Sequence, residues 1–308
     1  VSSIITEWSQ QNKDDYGKRP LTALHSLHQG DKYSDENLAK LLEEYPRNKL
    51  GVYTMGQDHE NWKTFVPGDA GDLSGEEIIE AVKKGRIWLN LRAVNDDIDD
   101  YTQLCEQMFQ EVDSYTGCST YKQDLGVLIS SPNAQVFYHL DIPLVLLWQL
   151  RGTKKVWIYP NSSDFAPDEN IEGIVLKETE EEFEYNPDFD RHALEIELEP
   201  GMFASWPQFA PHRIENHDML NVSLSVEYVT MQAILQANMM YTNGVLRRRF
   251  GSTPLRENSS LVSLWVKAAF ARALKLTRSG QQYQNKFRSH FKIDLSEKDC
   301  VRFYDKPQ

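Results

Sequence analysis

The stretch QVFYHLDIPLVLLWQLRGTKKVWIYP, residues 135 to 160, places His139 and Asp141 two apart beside one of the most apolar runs of the chain, with Lys154 in a second apolar run. Residues two apart on a strand share a face, so His139 and Asp141 point together while Tyr138 and Leu140 point away. A convergent histidine and carboxylate are two thirds of a facial iron site, in which two histidines and one carboxylate hold one face of an octahedron and leave the other positions open. His212 is the candidate third ligand. In GMFASWPQFAPHRIEN, Gly201 and Pro207 bound one strand and His212 opens the next, so a loop returns the chain to face the first strand. The structural alternative is a turn-filling His212 and a core His139 hydrogen-bonded to Asp141. Lys154 is the next anomaly, because a buried lysine is costly unless it meets an anion. One of Lys154 and Lys155 faces inward, and an ammonium at the far end of a metal pocket suits the distal carboxylate of a dicarboxylic cosubstrate. A lysine that merely ends a strand is the alternative.

Such groups need a closed scaffold to bring them together. From about Asp124 the segments DLGVLIS, AQVFYHLD, PLVLLWQL, KKVWIYP, HALEIELE, GMFASW, HRIEN and NVSLSVEYV are short, apolar and separated by turn residues or an acidic loop. Eight strands over roughly a hundred residues predict a mainly β, α+β chain whose core is a double-stranded β-helix of the jelly-roll or cupin kind. Upstream, Ser34 opens a helix with Leu38, Leu41 and Leu42 on one stripe, and Ser74 with Glu77 has capping-box spacing. RIWLNLR (86 to 92) reads as a strand, and residues 97 to 113 as an amphipathic helix. After Thr230 the helical period returns in MQAILQANMMY, in SSLVSLWVKAAFARALKL, and in Tyr283, Phe287 and Phe291 spaced by four. The middle helix is apolar on nearly every side, which predicts burial against the barrel or in a homodimer interface. The expected units are N-terminal helix and strand elements packed on the barrel (1–120), the catalytic core (121–230) and a C-terminal helical region (231–308) that dimerises.

Composition narrows the class. Of 308 residues, 40% are hydrophobic and 26% charged, the profile of a soluble globular protein. The longest apolar run, Ile142 to Leu150, is far short of the ~20 residues that cross a bilayer. No basic segment with an apolar core opens the sequence, and Cys105, Cys118 and Cys300 lack metal-ligand spacing, so free thiols and a cytoplasmic location are expected. A net charge of -13 argues against general polyanion binding. Residues 231 to 293 nevertheless hold eleven Lys or Arg and one acid, Glu257. That basic stretch packs against the protein's own acidic surface or a second subunit, or else it binds an acidic partner or nucleic acid.

The run GVLISSPNAQVFYHLD, then LLWQLRGTKKVWIYP, with GMFASWPQFAPHRIEN downstream, resembles the JmjC and cupin-like Fe(II)/2-oxoglutarate oxygenases, most of all the asparaginyl hydroxylases and ribosomal oxygenases. The resemblance covers residues 124 to 229. It implies that His139, Asp141 and His212 are iron ligands and that Lys154 pairs with the C5 carboxylate of 2-oxoglutarate. Gly201, Pro207 and Asn216 match the second motif, in which Phe209 replaces a glycine usually found three residues before the histidine. Val136 and Val145 stand where polar helpers are common, so Lys154 needs another helper: Tyr138 if its strand bulges, Ser225, or Trp88 and Asn90 from the upstream strand. Glu227 faces the pocket or ends its strand as a surface carboxylate. The implied activity is that of a dioxygenase using Fe(II), 2-oxoglutarate and O2 to hydroxylate or demethylate a protein side chain or a small molecule, releasing succinate and CO2. A protein substrate fits the ribosomal-oxygenase resemblance, with Arg247, Arg248 and Arg249 available for docking; Trp148, Trp157 and Trp206 would suit a small-molecule pocket. A non-catalytic metal- or ligand-binding cupin regulator and a cupin dioxygenase without 2-oxoglutarate are the alternatives, and Lys154 separates them, having a clear role only where a dicarboxylate binds.

Overall fold

Every strand read from the alternating pattern between Asp124 and Val229 forms, and the eight close on one another as two facing antiparallel sheets. The computed structural model describes residues 3–252, 254, 256, 259–277 and 288–307. The chain first lays down β1 (Ile5–Glu7), α1 (Gln10–Asp15), β2 (Leu21–His25), α2 (Asp35–Glu44), β3 (Gly51–Thr54), β4 (Val66–Asp69), α3 (Gly75–Lys84), β5 (Ile87–Leu91), α4 (Val94–Asp97) and α5 (Asp99–Thr116). Ser34 caps α2, and the Ser74–Glu77 capping box at α3 makes both of its reciprocal bonds. Gly75 is required there, since any side chain would run into the Ala39 carbonyl of α2.

The core follows as β6 (Tyr121–Ser130), β7 (Gln135–His139), β8 (Leu144–Arg151), β9 (Lys154–Ile158), α6 (Asp168–Val175), β10 (Leu194–Leu198), β11 (Met202–Ser205), β12 (His212–Asn216) and β13 (Asn221–Val229). The acidic segment between β9 and β10, expected as loop, thus carries α6, which buries Ile171 and Ile174. One sheet of the barrel runs β10-β9-β12-β7, and the other contains β11-β8-β13-β6. Val145 and Leu147 of β8, Val156 and Ile158 of β9, Ile196 and Leu198 of β10 and Ala204 of β11 form one cluster between them. The second sheet is buried on its outer face as well. Leu144, Leu146, Trp148 and Leu150 of β8 pack with Leu125, Val127 and Ile129 of β6 and with Tyr101, Met108 and Phe109 of α5 in the largest cluster. Burial on both faces explains why β8 reads as an unbroken apolar run.

The N-terminal strands extend this sheet at both edges, β2 beside β11 and β5 beside β6. The chain ends with α7 (Met231–Phe250), α8 (Leu261–Thr277), β14 (Phe291–Ile293) and β15 (Val301–Phe303), and β14 pairs in parallel with β4 to complete an eleven-stranded sheet. This corrects the expected third helix at Phe291. Tyr283 and Phe287 lie outside the described residues, and Phe291 belongs to a two-residue alternation in which Phe291 and Ile293 are buried and Lys292 is not. Its ring fills the space left by Gly68, where any side chain would collide with it. Of the two burials expected for α8, packing within this chain covers only part of the helix. It buries Leu264 and Ala271, while Leu261, Val262, Trp265 and Val266 are 74, 74, 56 and 63% exposed. The basic end of α7 does meet the protein's own acids: Arg247 reaches Glu169 and buried Glu172, both at 2.8 Å. The three cysteines are unpaired, and no helix among the described residues is long and apolar enough to cross a membrane.

Candidate metal centre

Antiparallel pairing of β7 with β12 sets His139 directly opposite His212. The register then slips: Ile214 pairs with Val136, so three residues of β7 match two of β12. That bulge returns Val136 and His139 to the same side, lining one cavity, and turns Phe137 and Tyr138 elsewhere. The imidazole rings of His139 and His212 lie 4.1 Å apart between centroids, and Asp141 follows just past the end of β7. Its carboxylate is 3.3 Å from His212 Nε2 and 3.9 Å from His139 Nε2. One ligand atom from each of the three residues falls within 4.8 Å of the others, a cluster that can hold a metal ion.

The backbone fixes the tautomers. His139 donates Nδ1–H to the Phe137 carbonyl at 2.7 Å, and His212 donates Nδ1–H to the Ala210 carbonyl at 3.2 Å. Both Nε2 lone pairs are left for the centre, as orienting bonds to metal-ligating histidines usually leave them. Burial pushes the Asp141 carboxyl up, but His212, His139 and Arg92 more than offset that and hold it below the usual carboxylate range. The loop that delivers His212 is strained. Phe209, standing where the glycine was expected, has φ 66°. A left-handed conformation costs a non-glycine residue roughly 1–2 kcal/mol; here it is offset by burial of the ring among Tyr138, Tyr159 and Leu235.

The triad opens into a cavity of about 1060 Å³. Val136, Val145, Leu147, Ile214 and Trp206 make its deep wall apolar. Trp88, Asn90 and Ser225, expected as cosubstrate contacts, line the same cavity as the triad. Tyr138 is not brought there, and that expectation is corrected: the strand bulges, yet the ring turns outward, packs against Tyr159 and Phe183, and donates its hydroxyl to the Phe165 carbonyl at 2.8 Å. Trp148 and Trp157 likewise lie outside the cavity lining.

Several lining residues carry no signal in the sequence reading. Tyr53, Trp62 and Phe65 come from the β3–β4 region, distant in sequence, and reach the mouth because β3 pairs with β5 and β5 with β6. Glu181 and Glu182 come from the loop after α6, where Glu182 bridges His139 as an isolated antiparallel pair. Glu227, left open by the sequence, faces the cavity. Burial, then Asp141, then Glu227 and Glu182 push Glu181 up to about 7 against the relief given by His139. Burial, then Asp141, with Asp124 adding to them, push Glu227 up to about 7 despite Arg92 at 3.6 Å. The Glu181 side chain is nonetheless exposed at the cavity.

Lys154 occupies the other end of the barrel. It shares the inward face of β9 with Val156 and Ile158, and in the register Lys154 pairs with Asn216 where Ile158 pairs with His212. Four residues of strand separate the two rows, about 13 Å. Lys154 is 4% exposed, and its ammonium makes no hydrogen bond or ion pair with the described residues. Burial alone lowers its ammonium to about 7. Neighbouring Lys155 faces out and pairs with Glu195.

No protein-family model and no curated protein matches this sequence. Among solved structures, the crystal structure of Escherichia coli ribosomal oxygenase YcfD superposes on it with a TM-score of 0.51 at 17% identity, covering 91% of this chain and 70% of that one. The same E. coli protein in complex with cobalt and 2-oxoglutarate gives 0.48 at 18% identity, over 90% and 69%. At this identity the likeness is one of fold: the chain shares the double-stranded β-helix architecture of that E. coli protein and carries a His-Asp-His cluster at the mouth of its barrel.

Proposed function

We propose that this chain is an Fe(II)- and 2-oxoglutarate-dependent oxygenase that hydroxylates a protein side chain. The observation that carries the reading is Lys154, a lysine buried without an anion at the end of the barrel opposite a three-residue metal cluster. The residues fit both groups. Two imidazoles with their Nε2 atoms free and one ionised carboxylate are a donor set for Fe(II). A five-carbon dicarboxylate reaching from the triad toward the Lys154 row would give that ammonium the partner it lacks. Bound there, iron and 2-oxoglutarate would supply the oxidising chemistry, in which O2 is consumed, succinate and CO2 are released and a hydroxyl group is left on the substrate.

The protein's own part is placement and dryness. His139, Asp141 and His212 would hold one face of the metal, Asn90 and Ser225 bring an amide and a hydroxyl to the cavity, and Lys154, which stands beyond the cavity lining, would keep its proton when an anion faces it. Val136, Val145, Leu147 and Trp206 exclude water from the space between. A cavity of about 1060 Å³ exceeds what the cosubstrate fills, and its mouth is shared by the N-terminal strands, the α6 loop and the C-terminal segments, which supports a side chain entering on a polypeptide. The fold shared with a ribosomal oxygenase supports the same choice. The exposed apolar face of α8 supports a homodimer through the C-terminal helices, which Trp265→Glu would dissociate in analytical ultracentrifugation.

The test is anaerobic loading with Fe(II) and 2-oxoglutarate. A weak visible charge-transfer band is expected, with succinate appearing after air is admitted. Absence of the band, together with unchanged 2-oxoglutarate binding in Lys154→Ala, would sink the assignment and leave a cupin that works without this cosubstrate.

A further inference from the structure

β7 and β12 carry the two histidines of the triad, yet the ladder between them is irregular where those histidines stand. His139 pairs with His212, and the next matched pair, Val136 with Ile214, already lies past the bulge. Regular strand pairing therefore does not by itself fix the spacing of two rings whose centroids are 4.1 Å apart. The residues beside the ligands turn to the opposite face of the sheet. Tyr138 precedes His139 and Arg213 follows His212, and both are buried on that outer face, 1 and 7% exposed.

What covers them is the segment between α6 and β10. Its Glu182 bridges His139 as an antiparallel pair, and a short 3₁₀ helix at Pro187–His192 then sets Asp190 against β12. Asp190 accepts from the Arg213 guanidinium on Oδ2 at 2.7 Å and from the hydroxyls of Tyr159 and Tyr185 on Oδ1, both at 2.6 Å. Arg213 also donates Nε–H to the Tyr159 hydroxyl at 2.9 Å and lies 3.5 Å over the ring of Trp157, its cross-strand neighbour on β9. Tyr138 joins from the other ligand strand, its ring centroid 4.8 Å from that of Tyr159 and 5.4 Å from that of Tyr185. One carboxylate thus ties β9 to β12 directly, and both to β7 through the tyrosine rings.

A buried ion pair adds little stability over apolar packing, because desolvating both charges offsets most of their attraction. Its best attested use is to fix one geometry among several. The geometry without a regular ladder here is that of the two imidazoles. We propose that Asp190 and Arg213 are positioning residues for the metal centre, holding His139 and His212, from the outer face of their strands, at the spacing at which both can bind one ion. The inference rests on the reading of the triad as a divalent-metal site and uses no part of the cosubstrate chemistry.

Titration of the full chain with Co(II), followed through its visible absorption bands, tests it without turnover. Asp190→Asn and Arg213→Gln are each expected to weaken Co(II) binding by about 10- to 100-fold and to shift the bands. The double variant should bind no more weakly than the poorer single one, since both changes break one link. Asp188→Asn, in the same 3₁₀ helix but exposed and paired with Arg191, should leave affinity and bands as they are. Denaturant unfolding is recorded on the same samples. A network that serves the fold alone would lower stability and leave Co(II) affinity and bands unchanged, and that result overturns the proposal. Tyr185→Phe keeps the ring and removes one hydroxyl from Asp190, so it probes the same link if the charge variants do not fold. Binding about threefold weaker is expected of it, and an unchanged titration overturns the proposal. A native chain that binds no Co(II) would refute the metal reading together with this inference. A native chain that binds, with Asp190→Asn or Tyr185→Phe folded and unaltered in affinity and bands, refutes this inference alone.

Discussion

The two ends of the barrel interior treat charge in opposite ways. At the mouth, His139, Asp141 and His212 form a mutually satisfied set, each histidine tethered to a backbone carbonyl and the carboxylate held ionised by its neighbours. At the far end Lys154 is buried with no acid beside it among the described residues, and burial alone lowers its ammonium to about 7. Four rows of one strand pair separate these environments. A fold stabilises the first arrangement by itself. The second has no such partner among the described residues, and that contrast is what the proposed cosubstrate role of Lys154 rests on.

The contrast breaks most completely at the triad. Asp141→Ala is expected to lower metal affinity by more than about a hundredfold and to abolish succinate formation, measured by metal titration and product assay. Metal binding that survived this change would place the centre elsewhere. Lys154→Met comes next. It should weaken 2-oxoglutarate binding by about 2–4 kcal/mol, roughly 30- to 1,000-fold, while metal binding is kept. The same substitution should raise the melting temperature of the ligand-free protein, since it removes an uncompensated buried charge. A variant that lost both affinity and stability would show Lys154 to be a structural residue.

How far the sequence reveals this depends on the range of each signal. The eight core strands are legible because period-two alternation is local, and His139 and Asp141 attract notice because they sit on one strand. Lys154 stands out for the same reason, as a charge within an apolar run. The bulge in β7 is not displayed by the sequence; it brings Val136 round to the side of His139 and leaves Tyr138 facing away, where plain alternation puts it. Phe291 shares the four-residue spacing of a helix with Tyr283 and Phe287, but the space beside Gly68 decides its conformation, and Gly68 is more than two hundred residues away. The aromatic wall of Tyr53, Phe65 and Trp88 is assembled by strand pairing across the N-terminal half. No pattern within any one of those segments announces it.

Titration sharpens the comparison with a smaller effect. The folded value of Lys154, about 7, lies below the ordinary 10.5, so the unfolded chain holds the extra proton between them. Stability of the ligand-free protein should therefore be lowest below about pH 7 on account of this group and recover as the pH climbs toward 10.5. Binding of a dianion requires the protonated form, so 2-oxoglutarate affinity should be level below about 7 and fall above it by up to about tenfold per pH unit. Lys154→Met should show neither slope when calorimetry is repeated across that range.

Asn216 gives the smallest and most discriminating change, because it sits directly opposite Lys154 in the register yet belongs to the self-satisfied part of the molecule. Its Nδ2 donates to Ser130 Oγ and to the Ser131 carbonyl, both at 2.8 Å, which ties β12 to the turn leaving β6. Asn216→Ala leaves those buried acceptors without their donor and should cost about 1–3 kcal/mol in denaturant unfolding. The amide is spent on the fold, so 2-oxoglutarate affinity should change less than about threefold. A large loss of affinity with stability unchanged would instead make Asn216 a partner of the cosubstrate, and the far end of the barrel would then bind its anion through two groups rather than through Lys154 alone.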